Sequence, residues 1–184
     1  RSDKSLRELL QMVALMPMAI PGIVLGLAYI FFFNAKGNPL NFFYATMAIL
    51  VVNTIVHFYT VSHLSAITAI KKLDDEFESV SLSLKIPTYK MFFRVTLPVC
   101  LPTVFDIFIY LFCNAMTTVS GVIFLYSYDT TLASVSAIHL DEQGDVAGAA
   151  AMAMLIVYIS FVVRGLHTII STLLLKRTQA WRNI

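Results

Sequence analysis

Apolar positions along the chain fall into four long stretches. The first runs from about Leu9 to Phe33 (9–33) and carries no charge after Glu8. The second covers about 42–64. The third covers 98–126, interrupted only by Asp106, and the fourth about 146–175, interrupted at Arg164. Each reaches the roughly 20 residues that a helix needs to cross a bilayer. Phe, Tyr, Met and branched residues follow one another without the period-two alternation of barrel strands. The pattern predicts an all-α fold: a polytopic membrane bundle of four transmembrane helices.

The segment 65–97, between the second and third stretches, is patterned differently. Asp74, Asp75, Glu76 and Glu78 cluster where a helical pattern begins, and carboxylates favour the positive end of a helix dipole. Phe77, Val80 and Leu84 recur at i, i+3 and i+7, which gives one apolar stripe. Ile86-Pro87 breaks that helix. Tyr89, Phe92, Phe93 and Val95 make a second short apolar pattern before Pro98 opens the third stretch. A helix–break–helix element beneath the bilayer is expected, either as an interfacial amphipathic loop or as a docking surface.

Composition supports the membrane class. Of the 184 residues 58% are hydrophobic and 13% charged, about half the charged share of a soluble domain. A disordered chain is excluded, and a cytosolic enzyme fits poorly. The net charge of +2 gives no basic field for nucleic acid. Twelve of the 13 Lys and Arg residues lie at the two ends or in 65–97, leaving Lys36 alone in the other connections. By the positive-inside rule, both termini and 65–97 face the cytoplasm. The chain opens Arg-Ser-Asp-Lys, without an initiator Met or a signal-peptide pattern, and reads as a piece of a longer protein.

No catalytic or metal constellation emerges. Cys100 and Cys113 sit in apolar runs at a spacing that fits neither a metal site nor a disulfide framework. His57, His63, His139 and His167 form no paired ligands, and Walker A, Gly-x-Ser-x-Gly and His-Glu-x-x-His motifs are missing. The reading is a non-enzyme with no cofactor.

Several residues stand out within the apolar stretches. Pro17 and Pro21 remove backbone donors, while Gly22 and Gly26 allow close helix approach. They mark either a packing kink or a broken helix beside a solute path. Asn53, Asn114, Thr117, Thr118 and Ser120 are polar groups at membrane depth, serving interhelical hydrogen bonds or lining a translocation path. Asp106 lies ~12 Å and His57 ~10 Å above the cytoplasmic ends of their helices at 1.5 Å per residue. Intramembrane carboxylates are usually paired, so His57 and Asp106 are the expected polar pair. The segment 127–145 lacks Lys and Arg but carries Asp129, Asp141, Glu142 and Asp145.

The run Glu78-Ser79-Val80-Ser81-Leu82-Ser83-Leu84-Lys85, followed by Phe92, Val95, Leu97-Pro98 and Pro102, resembles the EAA loop of bacterial ABC importer permeases. Counted back from Leu97-Pro98, Val95 takes the pattern's Ile place and Lys85 its Gly place. Val80 and Ser81 take the Ala places and Ser79 the Glu place, with Glu78 one step early. The stretch 17–27 resembles the Pro-rich helix preceding the loop in iron(III), thiosulfate and phosphonate permeases. Residues 114–120 and 125–134 look most like permeases of 2-aminoethylphosphonate uptake.

The resemblance implies the C-terminal part (1–184) of a type-1 transmembrane domain in the bacterial inner membrane, with 65–97 as an EAA-type coupling helix pair. Its partners would be an ABC ATPase subunit, a periplasmic binding protein, a second permease half and the lipid bilayer, with no nucleic acid. Phe77, Glu78, Val80, Ser81, Leu84, Lys85, Ile86 and Tyr89 would form the ATPase-docking surface. The implied cargo is 2-aminoethylphosphonate or a related phosphonate, with iron(III) or another oxyanion, or a non-transporting scaffold role, as alternatives.

Overall fold

The computed structural model describes residues 4–73 and 75–178, with backbone only for Lys4, Arg7, Asp75, Glu78 and 174–178. Among the described residues every regular element is helical. These are α1 (Lys4–Ala19), α2 (Gly22–Phe33), α3 (Met47–His57), α4 (Tyr59–Lys71), α5 (Asp75–Ser83), α6 (Thr88–Met91), α7 (Leu97–Thr117), α8 (Ala133–Glu142) and α9 (Val146–Thr178). Among the described residues two helices, Thr88–Thr117 and Val146–Leu173, are long and apolar enough to cross a membrane. The number rises to four if each of two bent helix pairs counts as one span.

The first apolar stretch is not one straight helix. Its two halves, α1 and α2, meet at 103°. Pro21 has no N–H for the carbonyl of Pro17, and its ring pushes Ile20 out of the helical region. The second stretch breaks at Phe58, where neither Pro nor Gly occurs. One turn earlier the Thr54 hydroxyl donates to Leu50 O at 2.8 Å, a back-bond that bends helices.

The third stretch also departs from expectation. Its helix begins ten residues before Pro98, at Thr88, and passes through a π turn at Phe92–Thr96. There the Leu97 N–H reaches back five residues to Phe92 O. Pro98 cannot donate within this turn, so the wider spacing accommodates its ring. The helix then stops at Thr117, and 118–126 is a chain of tight turns rather than the end of a span. The Thr117 hydroxyl bonds Cys113 O and Asn114 O, which competes with helix continuation. Only the fourth stretch forms the single long helix expected, and most of its large apolar side chains, such as Val157, Tyr158 and Phe161, are exposed.

The chain divides into two compact units. One comprises the residues up to Val61 together with Leu111–Phe161. Its core is Ile49 and Leu50 of α3, Val122 and Leu125 of the turns, and Val135 of α8, with Tyr29, Ile30 and Phe33 of α2 packed on it. Val122 is fully buried, so this non-helical segment lies inside the unit. α2 approaches it closely. A Cβ at Gly26 would stand 2.8 Å from Gly121 O, and one at Gly22 3.1 Å from Gly121 N. Thr60 fastens α1 by donating to Ala14 O at 2.9 Å.

The second unit comprises Ser62–Tyr110 with the chain from Val162 onward. Here α5 ends in a two-bond cap. The Ile86 N–H reaches Ser81 O at 2.9 Å, and the Lys85 N–H reaches Leu82 O at 3.1 Å. This Schellman arrangement needs a left-handed residue at its centre, and Lys85 supplies it with φ 53°. α8 ends the same way on Gly144, with φ 83° and bonds to Asp141 O and Leu140 O. Glycine adopts that conformation freely, whereas lysine pays ~1 kcal/mol or more.

Two predictions follow from this geometry. Gly26→Ala forces its Cβ against backbone and should lower stability by about 1–3 kcal/mol in detergent unfolding. Lys85→Gly removes the left-handed cost and should slow hydrogen exchange of the Ile86 amide by about fivefold. Unchanged exchange would show that the turn is not strained.

Candidate functional site

Two places concentrate the residues singled out by sequence, one in each unit. In the second unit, α5, the capped turn and the start of the long helix enclose a groove of about 790 Å³. Its apolar wall includes Phe77, Val80, Ile86, Met91 and Val95, and its polar rim carries Glu76, Lys85, Lys90 and Arg94. Ser81 lies at its base, 7% exposed, with its hydroxyl 3.4 Å from Ile86 O.

Five of the eight expected docking residues therefore line this groove: Phe77, Val80, Ser81, Lys85 and Ile86. Leu84 and Tyr89 lie outside it with 65% and 62% of their surface exposed. The Glu78 side chain lies outside the described residues. The i, i+3, i+7 stripe is thus divided. α5 ends at Ser83, and the left-handed turn carries Leu84 off the line of Phe77 and Val80. The helix–break–helix order is present, but its second helix runs on into α7 instead of standing as a separate short element.

In the first unit, polar groups gather where α2 begins. Asn53 is 1% exposed and donates from Nδ2 to Gly121 O at 2.9 Å, joining α3 to the non-helical turn. Four residues along the same face, the His57 ring places Cε1 3.3 Å from the Cβ position of Gly22. Ser120 Oγ is 2.6 Å from that position. Asn53, Ser120, His57, Pro21, Gly22 and Gly26 thus share one neighbourhood. Thr117 and Thr118 do not project their hydrogen bonds into it. Thr117 bonds its own helix, while Thr118 O accepts from Ser134 Oγ at 2.8 Å. Asn114 lies within α7, and its carbonyl takes the Thr118 N–H.

Within the second unit, Asp106 has a neighbour other than the expected His57. The Asp106 carboxylate lies 3.2 Å from His167 Nε2, an ion-pair distance. The contact lacks hydrogen-bond alignment, since Nε2 is buried without a bonded partner. His57 instead stacks edge-on against Phe58 and faces Gly22. The depth estimate assumed straight helices beginning at Leu64 and Pro98. The break at Phe58 and the early start at Thr88 remove both reference points.

Sequence reasoning also missed a relay in the acidic segment. Tyr126 Oη is 2.7 Å from His139 Nε2, and His139 Nδ1 is 3.4 Å from Glu142. The last pair sits at i, i+3 on α8, a helix that nothing in the turn-like flanks announced. Among the described residues no three His, Cys, Asp or Glu side chains converge as a metal site.

A double-mutant cycle checks the Asp106–His167 contact. Asp106→Asn with His167→Gln should be non-additive by about 0.5 kcal/mol, the low end because Asp106 is largely exposed. Additive effects would show that the two side chains do not interact.

Comparison with known proteins gives the family. The model of the binding-protein-dependent transport system inner membrane component matches residues 1–176. A ferric transport system permease protein FbpB of Actinobacillus pleuropneumoniae is 27% identical over 163 residues, 89% of this chain and 23% of that protein. A putative ferric transport system permease protein FbpB 1 of Haemophilus influenzae is 31% identical over 130 residues, 71% of this chain and 20% of that protein. A putative ferric transport system permease-like protein AfuB of Escherichia coli K12 is 27% identical over 92 residues, half of this chain and 77% of that protein. The chain spans about a fifth to a quarter of the length of the first two relatives. The match across nearly all its length settles the family: the chain belongs to the binding-protein-dependent transport system inner membrane component family.

Proposed function

We propose that this chain is part of the permease of an ABC importer and that its cargo is ferric iron. The family match over residues 1–176 carries the first half of that reading. The cargo rests on relatives named as ferric transport permeases, which favours iron(III) over the 2-aminoethylphosphonate suggested by residues 114–134. The permease itself performs no bond chemistry. It offers a path, an inner-membrane anchor and surfaces for an ATPase subunit and a periplasmic binding protein.

The α5–α6 segment is the ATPase-docking element in this reading. Its apolar side chains Val80, Leu82, Leu84 and Tyr89 are more than half exposed. Solvent-facing apolar groups beside Lys85, Lys90 and Arg94 suit a protein partner. The segment is held rigid by the two-bond cap, and its second helix continues without a loop into α7. A push on the groove is thereby delivered to a membrane-length helix as rigid-body motion. With both termini cytoplasmic, the acidic segment with α8 faces the binding protein.

Retention of the cognate ATPase by the complete permease tests this. Leu84→Asp and Val80→Asp, both at exposed positions, should abolish retention while the protein still inserts. Equal retention by wild type and both variants would leave a scaffold role as the better reading. For cargo, cells with the complete transporter should accumulate labelled iron(III) in a Leu84-dependent way. Uptake of labelled 2-aminoethylphosphonate instead would reverse the assignment.

A further inference from the structure

The groove of the second unit carries a charge imbalance. Among the described residues its lining has three cations, Lys85, Lys90 and Arg94, against one carboxylate, Glu76. None of the three cations forms an ion pair with a described residue. All three are exposed, while Phe77, Met91 and Val95 of the wall are half-buried and Ser81 is buried at the base. Lys85 joins the rim from a left-handed backbone, φ 53°, which glycine would adopt more freely but without a charge. The exposed apolar residues Leu82, Leu84 and Tyr89 lie outside the groove. A cleft with apolar walls and a net positive rim is therefore left beside the docking face.

Its depth narrows the choice of occupant. Lys90 and Arg94 stand four residues apart in the first turns of the membrane-length helix Thr88–Thr117. Between Val95 and Thr117 that helix rises about 34 Å at 1.5 Å per residue, close to the ~30 Å hydrocarbon core. With this helix across the bilayer, Arg94 and the groove stand at the level of phospholipid headgroups. A soluble anion would leave the apolar wall wet, and a neutral apolar molecule would leave the cations unmatched. A zwitterionic lipid brings its own cation, which the rim repels. An anionic phospholipid meets both demands, and about 790 Å³ gives room for its headgroup, its glycerol and the start of a chain.

We propose that this groove binds an anionic phospholipid, with its phosphate among Lys85, Lys90 and Arg94 and the start of an acyl chain on Met91 and Val95. The site rests on Thr88–Thr117 crossing the membrane. It depends neither on the cargo nor on the ATPase contact.

The test titrates the complete permease, in neutral detergent, with fluorescent phosphatidylglycerol. Phosphatidylcholine and glycerol phosphate serve as competitors. Saturable binding is expected, with phosphatidylcholine at least about tenfold weaker and glycerol phosphate without effect. Lys90→Gln with Arg94→Gln should weaken binding at least about tenfold, whereas Lys90→Arg with Arg94→Lys, which keeps both charges, should bind as wild type does. Unfolding midpoints of both double variants are read in parallel as the check of folding. Leu84→Asp should release the ATPase and still bind phosphatidylglycerol. Equal binding of phosphatidylcholine, or unchanged binding in the glutamine variant, would overturn the site. Full competition by glycerol phosphate would make it a soluble-phosphate site, and displacement of the lipid by the ATPase would make the groove part of the docking surface; either result overturns the proposal. Wild-type permease that binds the lipid but not the ATPase rejects the docking assignment alone, and the reverse rejects the lipid site alone.

Discussion

The hydrogen bond from Asn53 to Gly121 O holds the first unit's polar interior together. Non-helical backbone inside an apolar protein is tolerated only when its N–H and C=O groups are satisfied. Turns 118–126 meet that demand through short local bonds, through Ser134 on Thr118 O and through this one long-range side chain. Because Gly121 is pinned and lacks a side chain, α2 can lie directly on it through Gly22 and Gly26. The core residues Val122 and Leu125 are then carried against Ile49 and Leu50. Asn53→Leu would leave Gly121 O buried and unpaired, and both contacts depend on that carbonyl staying in place.

The second unit solves a different problem, that of stopping a helix sharply and restarting it. Pro87 prevents α5 from continuing, and the Schellman bonds at Ser81 and Leu82 close its end. The chain then enters α6, crosses the π turn and runs into α7 without an intervening loop. Lysine at the left-handed centre is an unfavourable choice for the backbone, yet it puts a cation on the rim of the groove. Local strain of this kind persists where the surroundings over-determine a conformation.

What the sequence made legible follows from which forces act locally. Apolar length marked the membrane class and α9, and the two prolines marked the break between α1 and α2. Lys85, aligned by its distance from Leu97-Pro98 with a glycine place, does adopt the conformation glycine favours. The end of α7 at Thr117 was not legible, because Val119-Ser120-Gly121-Val122-Ile123 is as apolar as a helix and its turns are held by contacts far along the chain. Nor was the partner of Asp106, since His167 lies 61 residues away on a helix whose rotation no pattern encodes. The helix–break–helix order of 65–97 was readable, but its continuity with α7 was not, because a π turn has no distinct hydrophobic period.

Among the described residues, unsatisfied and strained features are spread over the chain: Asn53 Oδ1 and His57 Nδ1 on α3, Ser160 Oγ and His167 Nε2 on α9, and left-handed backbone at Ala45 and Lys85. The local rules are otherwise kept: Asp145 caps α9 on the Gly148 N–H at 2.9 Å, and Gly144 takes the left-handed place after α8. A chain that follows these rules at α8 and α9 has no general difficulty in meeting them. Lys85 departs from them on the rim of an exposed groove, where a demand other than stability can hold a local conformation. At the groove, the demand in the proposed reading is a partner's surface.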